Sequence, residues 1–219
     1  MDFEKARFNM IEQQIRPWDV LDTGILDLMF DVKREDFVSD DLRNLAFTDR
    51  ELPLPNGKLM LQPKVEARLL QDLEVAAGDK VLEVGTGSGY VTALIAKLAR
   101  EVLSVEIDGA QLERAAAALR KSGVGNARLF EGNGVEGLAG QAPFDAIYVG
   151  GSLPVVPEAL KQQLAVGGRM VVVVGDLPVM RALRIRRVSE TDFSSEEMFD
   201  ICVQRLEGAE AIEPERFSF

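Results

Sequence analysis

Three glycines at alternate positions, Gly85, Gly87 and Gly89, follow the apolar run 81–84, in which Glu83 is the one charged residue. Glycine lets a chain turn tightly and lets a ligand come close to the backbone. A helix that begins after such a turn also presents unpaired N–H groups to whatever lies in it. A dinucleotide fingerprint spaces its glycines G-x-G-x-x-G, whereas this run is G-x-G-x-G, with Tyr90 where the third fingerprint glycine would stand. That spacing argues against a nicotinamide enzyme. Glu83 sharpens the distinction, because a carboxylate beside the turn repels a pyrophosphate and suits a ligand with cationic groups. S-adenosylmethionine, with its ammonium and sulfonium groups, is such a ligand.

Glu106 closes a second apolar run, VLSVE, about twenty residues later, where a carboxylate can accept hydrogen bonds from both hydroxyls of a ribose. Dinucleotide enzymes use the same device, so Glu106 supports an adenosine ligand of either kind. Gly132-Asn133-Gly134 forms a third flexible turn, in which the Asn133 amide could bond an adenine edge.

What is missing from the chain narrows the chemistry further. There is no histidine, which removes every Ser-His, Cys-His and His-metal mechanism. The single cysteine, Cys202, has no second thiol for a disulfide or a zinc site and reads as a small apolar residue in a strand. No metal site is expected. A net charge of −11 opposes binding to phosphate backbones, and the only dense basic cluster is Arg181, Arg184, Arg186 and Arg187. Arg184 and Arg186 alternate with Leu183 and Ile185, as on the solvated face of a strand, so no nucleic-acid partner is expected. No run of about 18 apolar residues suggests a membrane span. The N-terminal stretch mixes both signs of charge without the organisation of a signal peptide, which points to the cytoplasm.

The elements that must carry these residues can be read from periodicity. Apolar residues at three- and four-residue spacings predict a helix over 3–16, stopped by Pro17, and a second over 22–30. Trp18, between them, reads as a packing anchor. Residues 31–57 read as short helical pieces and loop with an Asn56-Gly57 turn, and Pro63 opens a helix to about residue 73. Strands are predicted at 80–84, 102–106, 127–131, 146–149 and 169–174, alternating with helices at 90–99, 110–121 and 157–164. The segments 179–188 and 198–206 read as an antiparallel pair joined by an acidic loop, TDFSSEE. This pattern predicts an α/β fold, a doubly wound, mostly parallel seven-stranded sheet with antiparallel C-terminal edge strands and an N-terminal helical extension. The expected division is 1–76, helices and substrate loop packed on the core, and 77–219, the cofactor-binding core.

With these residues in hand, the chain resembles the protein-L-isoaspartate O-methyltransferase family over nearly its full length. VLEVGTGSGY is similar to the family's first motif, GNG stands where the family usually has GDG, and PFDAIYV followed by Gly150-Gly151 resembles its fourth-strand segment. VKREDFV and AFTDRELPLPNGK resemble its N-terminal region. The resemblance implies a class I (Rossmann-like) methyltransferase that uses S-adenosylmethionine, contacted by Glu83, Gly85, Thr86, Gly87, Ser88, Gly89, Glu106 and Asn133. It implies a protein or peptide partner whose isoaspartyl or D-aspartyl carboxylate is methylated for repair.

One departure lies where the family carries a GQTIS-type sequence and this chain reads Gly57-Lys58-Leu59-Met60-Leu61-Gln62-Pro63. Leu59 and Leu61 replace the hydroxyls that help hold the substrate carboxylate, and a missing hydrogen bond in a polar pocket costs roughly 1–3 kcal/mol. Lys58, Leu59, Met60, Leu61 and Gln62 are therefore the candidate substrate-loop residues, with Lys58 and Gln62 as possible replacements for the hydroxyls. The competing readings are a methyltransferase of the same fold with another small-molecule or peptide acceptor, and a non-catalytic cofactor-binding or interaction module. The acidic tail ends in Phe217 and Phe219, which could pack on the body or on another subunit.

Overall fold

A computed structural model describes residues 1–212; the two tail phenylalanines lie outside them. Seven strands form one sheet: β3 (Lys80–Val84), β4 (Glu101–Glu106), β5 (Ala127–Glu131), β6 (Phe144–Leu153), β7 (Leu164–Asp176), β8 (Val179–Arg187) and β9 (Phe193–Asp200). Their spatial order is β5-β4-β3-β6-β7-β8-β9. The first five are parallel, while β8 and β9 are antiparallel to their neighbours. The order reverses between β4 and β6, on either side of β3, and ligands of open α/β sheets bind at the carboxyl ends of strands at such a switch point. The glycine turn leaves β3 at that place.

Alternate residues of the strands feed two cores. Val81, Tyr148, Val171 and Val173 pack under α1 (Phe3–Met10), α2 (Thr23–Asp31), α3 (Pro63–Leu73) and α4 (Tyr90–Leu98). Leu82, Val84, Val149 and Val172 face α6 (Glu158–Gln162) and the segments near Val135 and Ala209. α5 (Gly109–Lys121) follows β4 and is capped by Asp108, which accepts from the N–H groups of Ala110 and Gln111.

The predicted helix over 3–16 is not continuous. α1 ends at Met10, a π-turn covers Ile11–Ile15, and a 3-10 turn covers Arg16–Trp18. The wider turn keeps Met10, Ile11 and Ile15 all buried. Trp18 does act as an anchor, its ring 5.0 Å from that of Phe199 in an edge-on contact. Within the stretch read as loop, β1 (Leu52–Pro53) and β2 (Leu59–Met60) form a small antiparallel ribbon around the Asn56-Gly57 turn.

The last strand differs most from expectation. TDFSSEE is mostly strand, and after Ile201 the chain leaves the edge at β8. The cause is charge pairing with β8: Arg184 bonds Glu196 at 2.6 Å and Arg181 bonds Glu197 at 2.7 Å across the ladder. Arg184 and Arg186 also reach Glu74, both at 2.7 Å, and Arg187 donates to the carbonyls of Gln162 and Leu164. The basic cluster is thus engaged within the molecule. Cys202 is exposed and lies beyond β9, so it is not a strand residue.

Two buried arginines fix α3, the helix that follows the candidate substrate loop. Arg34 pairs with Glu66 on α3 and donates to the Leu61 carbonyl at 2.6 Å. Arg169 on β7 donates to the Leu73 carbonyl at 2.7 Å and to Asp79 at 2.5 Å, holding the helix's far end.

Candidate cofactor and acceptor site

The glycine turn is shaped by its backbone. Gly85 and Gly87 have φ of 89° and 53°, conformations that residues with a Cβ rarely adopt. Gly85 and Thr86 both donate to the Val105 carbonyl, which ties the turn to β4. Glu106, at the end of β4, accepts from Gly87 N at 2.9 Å and from Asp108 N at 3.2 Å.

β6 runs farther than β3, so its last residues lose their neighbour where β3 turns away at Gly85. Residues 203–208, a strap after β9, occupy that place. Ser152 donates its N–H to the Gln204 carbonyl at 2.9 Å, and Leu206 N donates to the Ser152 carbonyl at 3.0 Å. Gln204 Oε1 accepts from Leu59 N at 2.8 Å, Lys58 pairs with Glu207 at 3.1 Å, and Asn133 Nδ2 donates to the Gly208 carbonyl at 3.2 Å. The strap is thereby joined to β6, to the candidate substrate loop and to the turn after β5.

Between strap, glycine turn and loop lies an open cleft, placed where ligands of such sheets bind. Its wall brings together Gly85, Gly87 and Glu106 with Lys58, Leu59 and Leu61. Val105, Ile107 and Val135 add apolar surface, and Gln204, Arg205, Leu206 and Glu207 close it. A smaller cavity adjoins it, bordered by Glu66, Glu83, Thr86, Ser88, Tyr148 and Met60 and sharing Leu59, Leu61, Gly85 and Gly87.

Other expected site residues take different positions. Gly89 is the N-cap of α4 and sits against α5. Asn133 stands beside the cleft, its Oδ1 accepting from Val135 N at 3.1 Å while its Nδ2 holds the strap. Gln62 is the N-cap of α3, outside the cleft wall.

Glu83 is fully buried. Its Oε2 accepts from the hydroxyls of Thr92 and Ser104, each at 2.5 Å, and Thr86 lies 2.6 Å from Ser104. Its Oε1 has no partner among the described residues. Burial pushes the carboxyl up to about 8, against those two hydroxyls, and Glu106 and Glu66 add repulsion. Burial likewise pushes Glu66 up to about 7 despite Arg34.

The strap was invisible to sequence reasoning because 198–206 reads as one strand. The available signal was charge complementarity: Glu196 and Glu197 match Arg184 and Arg181, which moves the strand to 193–200 and frees the residues after it.

A family model described as protein-L-isoaspartate(D-aspartate) O-methyltransferase matches residues 5–202. Protein-L-isoaspartate O-methyltransferase 1 of Rhodopseudomonas palustris (strain HaA2) is 40% identical over 209 residues, covering 95% of this chain and 85% of that protein. A protein-L-isoaspartate O-methyltransferase of Roseiflexus sp. (strain RS-1) is 37% identical and covers 99% of each chain. Among solved structures, a protein-L-isoaspartate O-methyltransferase superposes with a TM-score of 0.79 at 23% identity, over 93% of this chain and 66% of that longer one. A Plasmodium falciparum structure assigned to the same kind of enzyme, in complex with S-adenosyl-L-homocysteine, gives 0.76 at 20% identity, over 93% and 97%. Both establish likeness of fold.

Proposed function

Because the chain belongs to the protein-L-isoaspartate(D-aspartate) O-methyltransferase family, we propose that it uses S-adenosylmethionine to esterify the free carboxylate of L-isoaspartyl or D-aspartyl residues in proteins or peptides, a repair reaction. The observation that carries this reading is that one continuous cleft borders both Glu106 and the loop at Leu59 and Leu61. A nucleoside at one end and an acceptor at the other would share a single cleft.

The residues present fit the cofactor. Each oxygen of Glu106 accepts one backbone N–H and keeps a lone pair for a ribose hydroxyl. Val105, Ile107 and Val135 offer apolar surface for an aromatic base. Glu83 Oε1 is a buried acceptor without a donor beside the turn, as a cationic amino group requires. Gly85, Thr86, Gly87, Ser88, Gly89 and Asn133 complete the proposed cofactor set.

When bound, S-adenosylmethionine supplies a methyl group on a sulfonium, an already activated donor. The protein's part is to align the acceptor oxygen with that methyl and to exclude water. A carboxylate acceptor is ionised at neutral pH, its pKa being about 4, so no base has to remove a proton, which suits a chain without histidine. Leu59 and Leu61 keep the acceptor end apolar, and Arg34 holds the Leu61 carbonyl from below.

No helix among the described residues is long and apolar enough to cross a membrane, and we assign the cytoplasm as the place of action. The test is incubation with labelled cofactor and an isoaspartyl peptide beside its aspartyl counterpart. A base-labile methyl ester on the isoaspartyl peptide alone is expected; none, under conditions where S-adenosylhomocysteine binding is measured, overturns the acceptor. A second reading, the same chemistry on another acceptor, is favoured by Leu59 and Leu61. The double variant Leu59→Thr, Leu61→Ser tests it, since no change in isoaspartyl methylation would support the other acceptor.

A further inference from the structure

The loop before α3 offers the acceptor two leucine side chains and few free donors. Lys58 is engaged with Glu207 at 3.1 Å, Arg34 is committed to Glu66 and the Leu61 carbonyl, and the Leu59 N–H is bonded to Gln204. An anion brought there needs donors from another element. Resting on the reading of this cleft as a carboxylate methylation site, we propose that Gln204 and Arg205 of the strap hold the acceptor's carboxylate in place of the missing loop hydroxyls.

Both residues border the cleft. Gln204 is fixed through its Oε1, which accepts Leu59 N–H at 2.8 Å, and its Nε2 has no acceptor among the described residues. The bond that ties the strap to the loop therefore leaves the amide's two N–H donors available beside Leu59. Arg205 is anchored through Nη2 to the Gly175 carbonyl at 2.9 Å and to Asp176 at 2.5 Å. Its Nη1 is shielded from solvent and has no acceptor among the described residues. A buried guanidinium nitrogen without an acceptor is an unfavourable arrangement that an incoming anion relieves.

Two donors on one carboxylate oxygen leave the other free to attack the methyl group. The same strap closes the cofactor cleft at Leu206, packed against Gly85 and Gly151. Acceptor recognition and cleft closure thus share one segment of six residues, 203–208.

The test compares wild type with Gln204→Glu and Arg205→Met. Gln204→Glu is isosteric and keeps an oxygen for Leu59 N–H while replacing the free donor with a negative charge. Arg205→Met removes the cation. Wild-type ester formation on the isoaspartyl peptide is measured first, and its absence overturns the functional reading itself. Where wild type forms the ester, each variant is expected to raise KM for the peptide by roughly tenfold or more. The Kd for S-adenosylhomocysteine should stay within twofold and the far-UV dichroism unchanged. Arg205→Lys should recover part of the loss. An unchanged KM in Gln204→Glu, or a parallel loss of S-adenosylhomocysteine affinity in both variants, overturns this assignment and leaves the methyltransferase reading standing.

Discussion

Glu83 and Tyr148 are register partners across the β3–β6 seam, and each carries a buried oxygen with no partner among the described residues. They border the same small cavity with Glu66, and the Tyr148 hydroxyl is raised by burial and by the two carboxylates. At neutral pH without a ligand, Glu83 is held mainly protonated.

This has a stability consequence with a definite sign. Glu83 titrates near 8 in the folded protein against 4.5 ordinarily, so the folded state binds a proton that the unfolded chain releases above about 4.5. The associated stability is fully present below that value and is lost as pH rises through about 8. Glu83→Gln cannot ionise and escapes the loss. Thermal melts at pH 5 and pH 8.5 should show the variant gaining a few degrees on wild type at the higher pH; an equal difference at both values would contradict the assignment.

Much of the site's frame was legible before the structure. The spacing of Gly85 and Gly87, the isolated acid in an apolar strand and the acid ending the next strand are local patterns, and local patterns survive folding. What sequence could not give was the non-local part. Whether 198–206 or 193–200 forms the last strand depends on which carboxylates lie opposite Arg181 and Arg184. That pairing decides where Gln204 and Arg205 end up. Asn133 reads as an adenine contact from its turn and from the resemblance, and what the sequence does not show is that its amide also holds the strap.

Glu106 offers a cleaner probe of the cofactor cleft. Its carboxylate supports Gly87 and faces the cleft, so Glu106→Ala removes both a turn anchor and the proposed ribose acceptor. Calorimetry with S-adenosylhomocysteine should show affinity falling by roughly ten- to a hundredfold. A Kd within twofold of wild type would place the nucleoside elsewhere.

Arg34 and Glu66 form a pair with almost no exposure. Removing one partner of such a pair typically costs about 3–5 kcal/mol, while replacing both with apolar residues is far milder. In urea titrations Arg34→Met should be strongly destabilised, and Arg34→Met combined with Glu66→Leu should recover most of the loss. Additive losses would mean the two side chains act independently.

A Cβ on Gly151 would lie 2.8 Å from Leu206 Cγ and 3.1 Å from the Gln204 carbonyl oxygen. Gly151→Val should displace the strap. Hydrogen exchange should accelerate at the Leu206 amide, which is bonded to Ser152, and S-adenosylhomocysteine should bind more weakly. Unaltered exchange at Leu206 would show that the strap adapts without opening.

The ladder between β8 and β9 also governs how the protein meets its substrates in solution. With Arg181, Arg184 and Arg186 paired to Glu74, Glu196 and Glu197, this face adds no unpaired basic patch to a chain whose net charge is −11. Peptides rich in carboxylates then approach against long-range repulsion, which salt weakens over a Debye length of about 8 Å at physiological ionic strength. Encounter with acidic peptides should quicken as salt is added, and encounter with basic ones should slow, so ionic strength becomes a selector among damaged chains before any contact inside the cleft is made.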